Sequence, residues 1–573
     1  MRGAALIHHR RRLWSAYFLE QLGIVLLILP ASAMLVTSLK FHLGKHLEGS
    51  DLIPANVLAL SLAAVSMKSG QGRSLFGLRT GLAMGAAVGG LLGFSVWIST
   101  RILEMSYDGL WYHQITTLLL TGRVGPPWNP FREPVFGPWH FFVESYPRWV
   151  ATVSAQITLG QGSIEAGKAI QWIMLVSAAA LLSGLLLRFT RIRPMWAGVL
   201  GILMAANPVT ISQLSTQMVD GTLASLFLIC ACLSIRLILR PSRVNGIWVV
   251  LATVLFLNTK TTALVYLPIG FSACALAWFF LPGRVAQWRR MAPLAAWLGC
   301  GALVALFFVG YSPYVTNQLH QDNFASPLRN WGAIASFDAQ RPPAMNRMNR
   351  FERLYFSVFS RTWSGYPSQD PVLKFPFSIH DQEGVYAGSP DTRLGGFGPW
   401  FSGALILMVL LVIGKLRSAG GAKSLAWTLG PALAILATTF ANPECWWARF
   451  VPQLWLLPGL VLISHFLEVR SATRIVRFWG AMLVGVMVFN TILVARSVAV
   501  LQWDSTRECR EQIKRIPRGS RIAIFFPESL AMTLGYRLRE NSITAVNVDD
   551  PEKLPCTHPE FLWIRGRHPY CFL

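Results

Sequence analysis

The chain has 573 residues, 53% of them apolar and only 14% charged, with a mean hydropathy of +0.45. So little polar surface cannot enclose a water-soluble core of this size, which excludes an ordinary soluble enzyme and puts most of the chain in lipid. Lysine and arginine outnumber aspartate and glutamate by 51 to 27, a formal net charge of +24, a balance that would suggest a nucleic-acid partner only if the basic residues formed one patch.

The apolar residues fall into runs that cross, or nearly cross, a hydrocarbon core about 30 Å thick. In chain order they are 15–37, 52–67, 80–99, 169–187, 195–207, 220–239, 246–258, 262–282, 293–310, 400–414, 425–440, 451–466 and 479–500. This predicts an all-α polytopic membrane protein of about 13 transmembrane helices. The first run follows a basic leader, MRGAALIHHRRRLW, yet it is too long for a signal peptide and has no small-residue cleavage site before Lys40, so a retained span is expected.

Basic residues occupy alternate connections. They are Arg2 with Arg10, Arg11 and Arg12; Lys68, Arg73 and Arg79; Arg188, Arg191 and Arg193; Arg236, Arg240 and Arg243; Arg284, Arg289 and Arg290; Lys415, Arg417 and Lys423; and Arg470, Arg474 and Arg477. Cytoplasmic loops carry this excess under the positive-inside rule, which puts the N-terminus inside and the C-terminus outside. The excess charge is therefore topology, and no nucleic-acid partner is expected. The long hydrophilic segments, about 100–168, about 311–399 and the tail from 503, fall outside with nearly balanced charge. The expected location is the plasma (inner) membrane of a bacterium, with the working face toward the periplasm or exterior.

Two hairpins pair a short first run with a longer return: 195–207 with 220–239, and 246–258 with 262–282. A run of this length reaches only about 20 Å at 1.5 Å per residue, so their turns, NPVTISQLSTQMVDG and NTKTT, are expected to be recessed below the outer surface around an outward cavity. The tail divides the chain into a transmembrane domain, 1–502, and a small outer-side α/β domain, 503–573, in which RIAIFF, ITAVNV and FLWIRG read as strands and PESLAMTLGYRL as a helix. Cys230, Cys232, Cys274 and Cys300 fall in spans and read as packing residues. Cys445, Cys509, Cys556 and Cys571 fall outside, where a disulfide between Cys556 and Cys571 is expected, with Cys509 as the competing partner.

A Walker phosphate loop, HExxH, GxSxG, zinc-spaced CxxC pairs and Asp-x-Asp are all missing from the sequence. Enzymes that use a nucleotide-sugar donor commonly hold a metal with an Asp-x-Asp pair, so a lipid-phosphate donor is favoured, with no metal ligands and no cofactor expected. The first outer loop opens SYDGLWYHQ, and its acid, Asp108, is flanked by Tyr107, Trp111 and Tyr112. Such a carboxylate serves either as general base toward an attacking hydroxyl or as the N-cap of the next helix. Lys260, in NTKTT, and Arg449, in NPECWWARFVPQLW, are cations near the outer interface that either hold the phosphate of a polyprenyl lipid or snorkel to headgroups. Asp220 either lines the cavity or caps its span, and Glu444 is the expected partner of Arg449. His113, beside Tyr112, reads as a hydrogen-bonded loop residue or a substrate contact rather than a metal ligand. Among the outer tryptophans 111, 128, 139, 149, 363, 400, 446 and 447, most are explained by an interfacial belt, and the Trp446 and Trp447 pair is the candidate platform for a sugar ring.

The pattern of many spans, a first outer loop with an acid at the membrane and short helices around an outward cavity resembles the polyprenyl-phosphate-dependent glycosyltransferases of superfamily C. Asp108 matches the loop acid of that family, and Arg449 resembles its donor-phosphate arginine. The resemblance implies an inverting, metal-independent transfer from a polyprenyl-phosphate sugar donor to a glycan, glycolipid or protein acceptor, in contact with membrane lipid, in the service of cell-envelope polysaccharide. Because the family's acid follows its first span and Asp108 follows the third, residues 1–67 are then an added hairpin. The alternatives are an O-antigen polymerase or ligase and a flippase or transporter of lipid-linked sugars, although neither the midplane charges nor the related halves of a transporter are seen.

Overall fold

The computed structural model describes residues 2–69, 78–122, 140–279, 284–326, 340–365, 368–418, 421–469, 472–564 and 566–573. Arg73, Arg470, Trp128 and Trp139 lie outside the described residues. The chain is mostly helical. It opens with α1 (Arg2–His42), α2 (Leu52–Ser69) and α3 (Leu78–Arg101), followed by a short α4 (Gln114–Thr121) and α5 (Trp149–Gln161). Then come α6 (Ala169–Phe189), α7 (Pro194–Ala205), α8 (Asp220–Leu239), α9 (Arg243–Leu257), α10 (Ala263–Phe279) and α11 (Arg284–Leu303). An amphipathic α12 (Arg350–Phe359) precedes α13 (Phe401–Leu416), α14 (Gly421–Ala441), α15 (Leu456–Glu468) and α16 (Arg474–Arg515).

Among the described residues, eight helices are long and apolar enough to cross a membrane, and four shorter apolar helices accompany them. The faces they turn outward are themselves apolar: Ile53, Val57 and Leu60 on α2 and Phe478, Phe489 and Ile492 on α16 are all exposed. Rows of this kind are tolerated where lipid, not water, is the solvent. The predicted span 451–466 is interrupted, because residues 448–455 wind as 3-10 turns and α15 starts only at Leu456. Pro452 has no N–H to give to a regular helix there.

At the centre lies α1, with Ile24, Leu26, Leu27 and Ile28 fully buried and α6 packed along it. Within residues 1–67, α1 builds the core, while α2, like α3 after it, is more peripheral. The segment 100–168 also differs from a simple surface loop. Its α5 is buried for most of its length, and Gln156 Nε2 reaches back to the carbonyl of Ala33 on α1 at 3.4 Å.

The short helices end for local reasons. Helix α7 stops before Asn207-Pro208, because a residue preceding proline is pushed out of the helical region. Asn207 then accepts from Val209 N at 2.9 Å and starts the short helix Pro208–Gln213, with proline at its first position. Every residue from 203 to 226 is buried. The turn 258–261 is buried too, tied by Asn258 Nδ2 to the carbonyl of Ala305 at 2.9 Å. Both turns are thus recessed into the bundle.

The C-terminal sheet has the order β2-β1-β4-β3, built from β1 (Arg521–Ile524), β2 (Thr544–Asn547), β3 (Glu560–Trp563) and β4 (Arg567–Phe572). Strands β1 and β2 run parallel across α17 (Glu528–Glu540), and β4 is antiparallel to both β1 and β3. The last strand, β4, carries Cys571, which is disulfide-bonded to Cys556, while Cys509 is a buried free thiol. The expected boundary at 502/503 falls inside α16, a continuous helix of 42 residues with no glycine or proline before Pro517 to break its lower half. Its Cys509 and Ile513 belong to the same core as Ile522, Leu534 and Leu562. That core also takes in Leu103 and Leu110, so the small domain sits on the segment that carries Asp108.

Candidate active site

Arg449 gathers three acids from three separate segments. It lies in the 3-10 turn Ala448–Phe450, with Nη2 at 2.8 Å from Asp108 Oδ2, Nη1 at 3.1 Å from Asp391 Oδ1 and Nε at 3.9 Å from Asp220 Oδ2. Nε has no hydrogen-bond partner among the described residues. The guanidinium rests over Trp447, 4.8 Å from the ring centre, and over Phe450 at 5.1 Å. The aromatic faces favour the cation and keep water from its flanks.

Asp220, the first residue of α8, binds Lys260 Nζ through Oδ1 at 2.5 Å and accepts from Gln213 Nε2 through Oδ2 at 3.2 Å. Lys260 in turn lies 4.4 Å from the centre of the Phe450 ring. The N-cap of α8 is Val219, so Asp220 is a member of the ion cluster and not the cap of its helix.

Asp108 occupies the N-cap position of the wide turn Gly109–His113 but has helical backbone angles and makes no capping bond. The N–H of Gly109 is satisfied by Ser106 Oγ at 3.1 Å, which leaves the carboxylate for Arg449 and for the hydroxyl of Tyr112. Glycine is needed at 109 because a Cβ there would stand 2.3 Å from the carboxyl carbon of Glu104. His113 is buried beside Asp108 and Asp220. Burial pulls its imidazole down to about 4 against the pull of those two acids, so it is neutral at pH 7.

Asp391, with Arg393 3.8 Å away, comes from the second long loop and was absent from the sequence candidates. Burial pushes its carboxyl up to about 6 despite Arg449. The only signal was GSPDTRLGGFG, an acid and a base in a glycine-rich turn just ahead of a span; Gly395 and Gly398 there have positive φ. Exposure grades the acids: 4% for the Asp220 side chain, 16% for Asp108 and 28% for Asp391. Three carboxylates thus face Arg449, Lys260 and Arg393, a formally neutral cluster open on the Asp108 and Asp391 side.

Two expectations are corrected here. Glu444 pairs with Arg341, whose Nε lies 3.2 Å from Oε2 and whose Nη2 bonds Oε1, and not with Arg449. Trp446 is no open platform: it is buried, gives its indole N–H to Glu444 Oε2 at 2.5 Å and stacks on Trp447 at 5.4 Å. Trp447 is buried as well, and Arg449 and Arg393 both lie against its ring. Trp149 supports the recessed turn by donating to Thr259 Oγ1 at 2.6 Å.

Among the described residues no set of three His, Cys, Asp or Glu side chains converges as ligands for a metal ion; the site's acids are directed at cations. The arrangement places a proton acceptor beside a forked cation and an ammonium group in a recess, a combination suited to splitting a bond to a phosphate oxygen. No protein-family model matches the chain, and a search of curated proteins gives no match.

Proposed function

We propose that the chain is a membrane glycosyltransferase that moves a sugar from a polyprenyl-phosphate donor to a hydroxyl of a glycan, lipid or protein acceptor. In this reading the fold is that of superfamily C with about 13 spans, set in a bacterial plasma membrane with the Arg449 cluster and the C-terminal domain outside. The observation that carries it is the meeting of Asp108, Asp391 and Arg449, far apart in sequence, with Asp220 and Lys260 of the two recessed turns.

In the reaction, the acceptor oxygen attacks the anomeric carbon, its proton passes to Asp108, and the bond from that carbon to the phosphate oxygen breaks with both electrons going to the phosphate. Arg449 and Lys260 hold the departing polyprenyl phosphate, and a single displacement inverts the anomeric centre. The cations are paired in the free protein, so the donor phosphate takes the place of a carboxylate. Asp391 is the most exposed of the three and carries the raised carboxyl, which makes it the first to yield. Once the phosphate holds Arg449 in place of Asp391, the guanidinium is shared with the donor, its hold on Asp108 weakens, and that carboxylate, still touched by the Tyr112 hydroxyl, is left to accept the proton.

The test is transfer of labelled sugar from a polyprenyl-phosphate donor in membranes containing the protein. Label appearing in an acceptor supports the reading. Transfer only from a pyrophosphate-linked glycan makes the protein a polymerase or ligase, and movement of donor across the bilayer without transfer makes it a transporter.

A further inference from the structure

Behind Asp108 lies a second buried charge cluster that touches none of the proposed substrate groups. Arg537, on α17, is 2% exposed; its Nη2 bonds Glu165 Oε1 at 2.8 Å and the carbonyl of Glu104 at 2.9 Å. Glu165 Oε2 accepts from the N–H of Glu104 at 2.9 Å and pairs with Lys168 Nζ at 2.5 Å, and that ammonium also bonds the carbonyl of Ile102 at 2.5 Å. The strand of chain from Ile102 to Glu104 is therefore gripped on both sides of its backbone.

The carboxylate of Glu104 carries the grip onward. Oε1 accepts from the N–H of Ser106 at 2.7 Å, two residues before Asp108, and Oε2 accepts from the N–H of Gln217, three residues before Asp220. Gln217 Oε1 accepts from Thr117 Oγ1 at 2.9 Å, which ties the same turn to α4. One side chain thus fixes the spacing between the two acid-bearing segments. Its charge is balanced within the cluster, since Glu104 and Glu165 face Lys168 and Arg537, and every member is at most 2% exposed.

We infer that Arg537 is a positioning residue for the proposed transfer, and that the C-terminal domain is a working part of the site: through Glu165 and Glu104 it sets where Asp108 stands relative to Asp220 and Arg449. This rests on the reading of Asp108 as general base. A base moved by about 1 Å loses on the order of 10²-fold in rate, so the domain acts on turnover without meeting the substrate. Donor affinity should change least, since Arg449 and Lys260 stand on segments that the brace does not hold and Asp220, though near Gln217, keeps its own bonds to Lys260 and Gln213.

The experiment compares Arg537→Met and Arg537→Lys with the parent in full-length protein in membranes, with transfer kinetics and thiol labelling as readouts. Arg537→Met is expected to lower kcat by roughly 10- to 100-fold at nearly constant donor KM, and Arg537→Lys, which keeps the charge, to recover part of it. In an Asp108→Asn background, Arg537→Met is expected to add no further loss, because residues acting through one group are not additive. Cys509, 1% exposed with its Sγ 4.0 Å from Arg537 Nη1, should become reactive to an impermeant maleimide in Arg537→Met, as located by mass spectrometry. Parental kcat in Arg537→Met, or full multiplication of the two losses, overturns the inference. If Arg537→Met is not recovered in membranes, the isosteric Glu165→Gln loosens the same joint and must show the same kcat loss and the same absence of loss with Asp108→Asn. Parental transfer by Asp108→Asn alone would instead overturn the assignment of the base, a result distinct from parental transfer by Arg537→Met.

Discussion

Helix α8 carries a buried ion cluster at each end, and the two ends are built differently. Asp220 opens the helix and Arg236 stands in its last turn, about 24 Å away at 1.5 Å per residue. At the Arg236 end, Glu20 of α1 is fully buried, bonds Arg188 Nε and lies 3.7 Å from Arg236 Nη1. All three partners stand on packed helices, and Gly184 of α6 leaves the room: a Cβ there would come within 2.8 Å of Glu20. At the Asp220 end, the groups other than Asp220 itself stand on turns, loops and a 3-10 segment, two of the acids are partly exposed, and one arginine divides itself among three carboxylates. The same pairing of arginine with carboxylate is a bolt where helices lock it and an exchangeable clamp where turns hold it. The acids differ in access: Glu20 is 1% exposed, whereas Asp108 and Asp391 are 16% and 28% exposed, so under the proposed reading it is the clamp that trades a carboxylate for an anion.

The sharpest way to break the contrast is Asp108→Asn, which keeps size and removes basicity. Turnover in membranes at equal protein level is expected to fall roughly 10²- to 10⁴-fold, whereas Asp220→Asn is expected to act mainly on donor KM. Full activity in the first variant together with loss in the second would move the base to the recessed turn.

Next in size is Arg449→Lys. An ammonium cannot fork toward Asp108 and Asp391 together, and each charge-assisted bond is worth about 1.5–3 kcal/mol, so kcat/KM for the donor is expected to drop by roughly 10- to 100-fold. An unchanged kcat/KM would remove the fork from the argument.

A smaller effect concerns pH. Asp391, raised to about 6 by burial, is charged at pH 7.5 and neutral at pH 5. Protonation removes one competitor for Arg449, and a phosphodiester donor keeps its single charge across this range, so donor KM should fall severalfold as pH drops through about 6. The sign for stability is the same: a carboxyl raised above its ordinary value favours the folded state most below that value and loses the contribution as pH rises through about 6. Asp391→Asn should flatten the KM profile; an inflection that survives belongs to another group.

The smallest effect on turnover is expected at the bolt. Glu20→Gln strands Arg188 and Arg236 in the bundle, a change that costs about 3–5 kcal/mol when a buried pair loses one member. Thermal unfolding in detergent should shift down while kcat per folded molecule stays at the parental value. A loss of kcat without a loss of stability would mean that the two ends of α8 communicate.

Much of this was legible in the chain itself. Runs of apolar residues define α1, α2, α3, α6, α8 and α16, because a helix that lies in lipid must satisfy its own backbone and can do so only with a long uninterrupted segment. The short runs before NPVT and NTKTT marked the recessed turns by length alone, and the aromatic neighbours of Asp108 and Arg449 marked those residues as unusual. Cys556 and Cys571 could be paired because few other thiols lay in the tail. The strand β4 was missed because Pro569 interrupts its alternation, and its pairing with β1 and β3 depends on partners distant in sequence.

Tertiary structure decided what those marks amount to. Whether Asp108 caps a helix or faces a cation depends on Ser106 taking the N–H of Gly109 and on Arg449, more than three hundred residues away, arriving at its carboxylate. Asp391 had only the glycine-rich turn around it as a local feature, too little to separate it from other loop acids; the approach of a third segment to Arg449 distinguishes it. Trp446 and Glu444, adjacent to the site in sequence, turn away from it toward Arg341 and each other. Sequence determined which segments are long and apolar enough to enter a membrane, because hydropathy and length are properties of contiguous residues. Which acid meets which cation was left to the fold, because an ion pair in a recess is set by the distance between segments that no stretch of sequence contains.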